Sequence, residues 1–283
     1  MMGAADYPAA WPIVIVVAAL ILVVGLVVSA RRGSSALRHR RSTRMNVRVG
    51  RFTVTCGGAT HHGDRIDQCA AWAFIDHRDA PLIATGGVIA VTGESAAGPS
   101  SRGVAVAAVE AFLQALRSAA PTALSVTELL HGALLCASEH LHRHARDSKQ
   151  PPPIVGAVAV TPNGLYWVSA GDARILLIRA RGILRVNRQP SGASETTGES
   201  VPFFDAIDTA PAALPLQPGD DVLICNGGLH SRLTQDVIEQ TIVDCGPDFG
   251  RMLVDRVGAA DGRATLVAIH LGIRELQRGW FRG

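Results

Sequence analysis

Three short apolar runs stand in succession between residues 154 and 186, and no other stretch limits the folds open to this chain so strongly. They cover 155–161, 165–170 and 174–180. Pro162-Asn163-Gly164 divides the first two, and Gly171-Asp172 divides the second from the third. Gly and Asn tolerate the positive φ that tight turns demand, so both breaks are turn chemistry. Runs of this length, bounded by turns and poor in polar residues, predict strands covered on both faces. The expectation is a three-stranded meander at the heart of the fold.

The flanking segments predict the layers around it. Two strand-like runs, 47–56 and 70–75, are separated by the polar stretch 57–68, and 88–91 predicts a further buried strand ending in a Gly/Ser-rich turn over 92–101. Within 103–117 the polar Glu110, Gln114 and Arg117 share one stripe, which predicts a helix buried on most of its circumference. Ser125-Val126-Thr127-Glu128 has the spacing of a capping box and opens a second helix, which presents Leu130, Leu134, Ala137 and Leu141 on one face. Pro151-Pro152-Pro153 breaks the chain after it. Beyond the meander, 190–200 reads as a loop, and Gln217-Pro218-Gly219-Asp220 turns into a strand at 221–225. Asn226-Gly227-Gly228 leads to a helix with Thr234 as its N-cap, Pro247-Asp248 starts a last helix through 257, and 264–271 closes as a strand. Strands alternating with pairs of helices predict an α+β protein of stacked sheets with helices outside.

The N-terminal segment belongs to a different environment. Residues 13–30 carry no charge and are almost wholly aliphatic. As a helix, eighteen residues span about 27 Å, near the roughly 30 Å of a bilayer core. Tyr7 and Trp11 lie at its outer edge, where amphipathic aromatics belong. A cleaved signal peptide is the rival reading, but Asp6 and no Lys or Arg precede the apolar run. Arg31, Arg32, Arg38, Arg40 and Arg41 follow it, so the positive-inside rule places the rest in the cytoplasm. The expected organisation is an outer N-terminus at 1–11, a single-pass transmembrane helix at 12–30, a basic juxtamembrane linker at 31–45, a domain at 46–272 and a tail at 273–283. The linker enforces topology, and it has the charge to hold anionic lipid.

With eight arginines in 31–51 and a formal charge of +3, the remainder is net acidic, which argues against a nucleic-acid surface. The five cysteines, Cys56, Cys69, Cys136, Cys225 and Cys245, include no C-x-x-C pair and read as buried, reduced thiols. His61, His62, Asp64 and Asp67 could be metal ligands, but the segment reads better as a polar loop. His140 and His144, one helical turn apart, read better as a wet helix end that favours cations.

Five segments, in order, resemble one family. Gly171-Asp172-Ala173-Arg174 is similar to the Gly-Asp-Ser-Arg turn of the metal-dependent PPM (protein phosphatase 2C-like) serine/threonine phosphatases. Arg65-Ile66-Asp67-Gln68-Cys69-Ala70 stands where the family has an Arg followed by Asn-Glu-Asp. Ala90-Val91-Thr92-Gly93-Glu94-Ser95-Ala96 replaces the family's Ala-Asp-Gly-Met-Gly-Gly before the first long helix, with Thr92 at the aspartate. Gly219-Asp220-Asp221-Val222-Leu223-Ile224-Cys225-Asn226-Gly227-Gly228-Leu229 resembles the segment ending Ser-Asp-Gly-Leu, and Asp261-Gly262-Arg263-Ala264-Thr265 the closing Asp-Asn-x-Thr. The resemblance covers about 46–272 and implies an αββα β-sandwich flanked by helix pairs, two divalent ions that bridge an attacking water, and an arginine, here Arg65, that contacts substrate phosphate.

The departures redirect the functional expectation. The family's metal-holding aspartates fall at Ala70, Thr92, Gly227 and Gly262, and only Asp172 keeps an acid, one tied to an accessory ion. Hard Mg²⁺ or Mn²⁺ needs carboxylate oxygens, which these four residues lack. The resulting expectation is a membrane-anchored pseudophosphatase with no catalytic residues, no metal and no cofactor. It would bind, scaffold or regulate a protein partner, phosphorylated if Arg65 holds phosphate. One alternative is an active Mn- or Mg-dependent phosphatase with ligands relocated to Asp64, Asp67, Asp172 and Asp261. The other is a structural subunit of a larger membrane complex.

Overall fold

The turn at Gly171-Asp172-Ala173 does not join two strands of one sheet, as a meander requires; it carries the chain from one sheet to another. In the computed structural model, strand β5 (Ile154–Thr161) pairs with β6 (Gly164–Ala170), but β7 (Arg174–Arg179) belongs to the opposite layer. The sequence could not separate these arrangements, because strands buried on both faces lose the alternation that reports a sheet's two sides. Gly171, at φ 73°, makes the bend that redirects the chain.

The structure describes residues 44–61, 70–76, 87–94, 101–119, 124–145, 154–180, 182–188, 207–245, 248–260 and 266–276. The remaining strands are β1 (Met45–Val49), β2 (Phe52–His61), β3 (Ala70–Asp76), β4 (Val88–Glu94), β8 (Gly182–Arg185), β9 (Ile207–Thr209), β10 (Asp221–Cys225) and β11 (Leu266–Glu275). The helices are α1 (Ser101–Ser118), α2 (Val126–Ala145), α3 (Gly227–His230), α4 (Gln235–Cys245) and α5 (Phe249–Ala260). One antiparallel sheet runs β1-β2-β11-β10-β7-β8 and the other β3-β4-β5-β6-β9. Helices α1 and α2 cover the second sheet, and α5 packs on β2 and β11 of the first. The described residues lie within one compact unit, Ser42–Gly283.

Several local expectations are met and others move. The expected strand at 221–225 is β10. Ser125 Oγ accepts from Glu128 N at 3.2 Å while Glu128 Oε2 accepts from Ser125 N at 2.7 Å, so the capping box is formed. Thr234 Oγ1 accepts from Val237 N at 3.3 Å as the N-cap of α4. The single run at 47–56 is in fact a hairpin, β1 and β2, folded at Gly50 with φ 55°. Strand β2 continues to His61, into the segment read as a loop, because residues 57–61 pair with β11. Strand β4 likewise runs past 91 to Glu94, through the expected turn. Cys56 and Cys225 are buried, whereas Cys136 is exposed, contrary to the expectation for all five.

Between the sheets lie Val54, Val158, Ile175, Leu177, Val222, Ile224 and Ile269. The helix-facing side of the first sheet buries Leu176, Leu223, Leu229, Phe249 and Leu253. Strand β7 therefore sends Ile175 and Leu177 inward and Leu176 and Ile178 outward, which fixes the faces of its neighbours. Trp72 of β3 reaches across to β2, where a methyl group on Gly58 would come within 2.6 Å of the indole. The expected anchor at 12–30 and the linker up to residue 43 lie outside the described residues, among which no helix is long and apolar enough to cross a membrane.

Candidate functional site

Of the positions singled out by the resemblance, Ala70, Thr92, Asp172 and Gly227 converge on one end of the sandwich. That end holds the start of β3, the end of β4, the start of β5, the β6–β7 crossover and the end of β10. Ala70 is buried and pairs with Glu94 across β3 and β4. Thr92, two residues earlier on β4, is also buried, and its Oγ1 donates to Gly156 O of β5 at 3.3 Å. Gly156 is small of necessity, since a methyl group there would come within 2.9 Å of Ala173 and 3.4 Å of Thr92 Oγ1. The Thr92 hydroxyl is thus engaged by the neighbouring strand.

Asp172, on the crossover, reaches over the start of α3. A methyl group on Gly227 would collide with Oδ2 of Asp172, so the Asp172 carboxylate occupies the volume into which a side chain at 227 would project. The other carboxylate oxygen, Oδ1, lies 2.5 Å from Nη2 of Arg174. The Asp172 side chain is 37% exposed and that of Arg174 only 6%. Asn226, at the position of the family's serine, accepts from Leu229 N at 3.2 Å and from Val267 N at 3.3 Å, which fixes α3 against β11.

The electrostatics around this turn are cationic. Arg174 of β7 sits opposite Cys225 of β10, and Arg185 of β8 opposite Leu176 of β7. Burial, and then the neighbouring Arg174 guanidinium, lower the proton affinity of Arg185 below the usual arginine value, while Asp172 and Asp208 act the other way. Burial pushes the Cys225 thiol up to about 12, against the pull of Arg174. Arg174 entered the sequence reading only as the end of a motif, and Arg185 did not enter it. Their proximity follows from strand register, which no spacing within the chain reveals.

Arg65, Asp64, Asp67, Asp261 and Gly262 lie outside the described residues, so the phosphate-contacting arginine and the relocated-ligand alternative are not placed. Nor are the side chains of His140 and His144. Two hard divalent ions require a cage of carboxylate oxygens. Among the described residues no three His, Cys, Asp or Glu side chains group to hold a metal, and the one acid at the crossover already faces a guanidinium. These residues by themselves do not fit such a pair of ions.

No protein-family model matches the chain, and no curated protein matches it. Solved structures do. PppA, a key regulatory component of T6SS in Pseudomonas aeruginosa, is 19% identical, with a TM-score of 0.60 over 81% of this chain and 100% of its own. The Mycobacterium tuberculosis serine/threonine phosphatase PstP is 12% identical, with a TM-score of 0.59 over 78% of this chain and 99% of its own. The PPM Ser-Thr phosphatase MsPP from Mycobacterium smegmatis, solved with cacodylate, is 19% identical, with a TM-score of 0.58 over 77% and 97%. At such identities the likeness is one of architecture: the described residues between Met45 and Glu275 adopt the two-sheet, helix-flanked fold of the PPM-type serine/threonine phosphatases.

Proposed function

We propose that this chain is a degenerate member of the PPM family, a pseudophosphatase that binds a protein partner at the cytoplasmic face of a membrane without carrying out metal-dependent hydrolysis. The observation that carries this reading is the state of Asp172. Its carboxylate pairs with Arg174 and fills the space above Gly227, where the family has a metal-holding aspartate. With Ala70, Thr92 and Gly262 at the three further metal positions, the carboxylate oxygens needed to bind the ions and to lower the pKa of a bridging water are missing at all four places. Thr92 also spends its hydroxyl on Gly156.

The apolar, uncharged stretch at 13–30 followed by arginines supports a single-pass anchor with the domain on the cytoplasmic side. A regulatory role agrees with the description of PppA, which has the same fold. Arg65 would give the partner's phosphoryl group a planar, bidentate donor.

The decisive experiment incubates the full chain, purified in detergent, with Mn²⁺ and either a phosphothreonine peptide or p-nitrophenyl phosphate. No turnover above the buffer rate is expected. Turnover that requires Mn²⁺ and disappears in Asp172→Asn would overturn the reading in favour of relocated ligands at Asp64, Asp67, Asp172 and Asp261. Recovery of the chain only as a stoichiometric part of a stable membrane complex would favour a structural subunit instead.

A further inference from the structure

Both ends of the domain leave from one edge of the first sheet. Residue 44 leads directly into β1, and Leu276, just past β11, donates its backbone N–H to Arg51 O at 2.9 Å, so the chain exits beside the β1–β2 turn. Across that edge the register sets Arg48 of β1 against Thr53 of β2, and Thr53 against Arg274 of β11. Residues opposed in this way point to the same side, here the one on which Ala268 meets the helices, and at strand spacings of about 4.8 Å the two arginines stand roughly 10 Å apart. Helix α5 covers another part of this side. A methyl group on Gly250, in its first turn, would come within 3.2 Å of His270, and one on Gly258 within 3.0 Å of His61. The helix therefore runs away from the β1–β2 turn and leaves the strip open: Arg48 is exposed, Thr53 half-buried, and the Arg274 side chain 48% exposed.

The strip is basic. Arg48 and Arg51 are exposed and take part in no ion pair among the described residues, and Arg51 lies over the Phe52 ring at 5.0 Å. Strands β1 and β2 contain no acid, and Glu275, next to Arg274 on β11, points to the opposite side. Asp221 is buried and steadies the Arg274 guanidinium at 3.1 Å. Arg44, before β1, and Arg251, in the first turn of α5, are already paired with Asp248 and Asp255. The chain beyond residue 51 is net acidic, so positive charge is gathered at the edge where the chain from 13–30 arrives. The seven residues after Leu276, which lie outside the described residues, place Trp280 and Phe281 between Arg278 and Arg282. Aromatics flanked by cations are the composition of a segment that lies at a lipid headgroup boundary.

We propose that Arg48, Arg51 and Arg274 form a docking surface for the anionic headgroups of the bilayer, with Trp280 and Phe281 of the C-terminal tail joining them at the interface. The inference rests on the reading of 13–30 as a membrane anchor and deepens it: the domain lies against the membrane instead of hanging from it. Residues 31–43 reach about 45 Å when extended, enough for a tethered domain to turn any side to the bilayer, so lipid charge selects the side. Each exposed arginine strengthens the attraction about fivefold, and the effect fades beyond a Debye length of about 8 Å. The strip lies at the opposite end of the first sheet from the Asp172 crossover, so docking turns the crossover end away from the lipid, toward soluble partners.

The test places the full chain in nanodiscs of phosphatidylcholine alone or of a phosphatidylcholine–phosphatidylglycerol mixture, and reads hydrogen–deuterium exchange over 44–56 and 274–283. Slower exchange of both segments is expected in the anionic discs only, and high salt should abolish the difference. Arg48→Gln combined with Arg51→Gln, its fold verified by circular dichroism, weakens docking about twenty-fivefold and returns 44–56 to the exchange seen in phosphatidylcholine. In a Trp11→Phe chain, brominated anionic lipid quenches tryptophan emission, and Trp280→Ala removes that quenching. Equal exchange in the two kinds of disc overturns the assignment. So does a lipid effect that the double variant leaves intact, which would confine the contact to 31–43. Protection in both lipids that grows with the number of chains per disc would seat a second copy on the strip and likewise overturn it. A chain that does not enter discs at all sinks the anchor reading by itself. Co-sedimentation of that chain with phosphatidylglycerol vesicles then decides the strip: binding lost in the double variant upholds it, and no binding overturns it.

Discussion

Strand β7 carries an arginine at each end, and each faces an aspartate, but the two pairs are built differently. At the far end Arg179 grips Asp220 through two parallel bonds of 2.8 Å, and Asp220 also accepts from Gln217 N at 2.7 Å. Arg179 gives a further bond to Pro215 O at 2.9 Å. The Asp220 side chain is 1% exposed and fully engaged. At the crossover end Arg174 is the buried partner, Asp172 is the exposed one, and the pair has a single close approach. The first pair clips a turn to a strand. The second leaves Nε and Nη1 of Arg174 buried without a hydrogen-bond partner. Saturation, more than the presence of opposite charges, separates the two pairs.

The contrast can be broken by removing the carboxylates in turn. Asp220→Ala strips three acceptor bonds from Arg179 and Gln217 and is expected to cost about 3 kcal/mol of unfolding free energy. Urea denaturation of the full chain in detergent gives the number, and a loss below about 1 kcal/mol would erase the distinction. Gly227→Ala forces a methyl group into the Asp172 carboxylate and should cost about 2 kcal/mol. In an Asp172→Ala background most of that cost should vanish, and a double-mutant cycle that finds additivity would show that the two residues do not touch.

Alkaline titration probes the same end of β7. Cys225 is held near 12 in the fold, against about 9 for an ordinary thiol, so the unfolded chain releases a proton before the folded one does. Its contribution is complete below pH 9 and is lost as pH climbs toward 12, about 1 kcal/mol by pH 10. Cys56 is raised by burial as well and acts in the same direction, so Cys225→Ala should flatten only part of the decline in melting temperature. The smallest effect is expected of Asp172→Asn, within about 1 kcal/mol of the native chain, because the amide oxygen still faces Arg174 and the side chain is partly solvated. A loss as large as that of Asp220→Ala would make both pairs structural.

The layer order was legible in the sequence because caps and stripes are local. Ser125 and Glu128 announce a helix start through bonds only three residues apart, and Glu110, Gln114 and Arg117 are all exposed as their stripe requires. Sheet membership was not legible, since β7 is buried on both faces and reads the same in either layer. Strands β8 and β9 escaped notice because they are short and half-exposed, stabilised by neighbours more than by composition. At the site, the motif located Asp172 and Gly227, but their contact depends on β7 and β10 lying side by side. That Asp172 is already occupied by Arg174 is a fact of side-chain direction, which no substitution pattern in one sequence encodes.

The Gly171-Asp172-Ala173 link has one more consequence. Packed sheets stand about 10 Å apart, and the four Cα steps from Ala170 to Arg174 reach about 14 Å when fully extended. The bend at Gly171 takes up part of that reach, and the residue at the middle of the bridge is Asp172. The carboxylate that meets Arg174 and covers Gly227 is thus carried by a short link between the two layers, so its position is set by where both sheets place their strand ends.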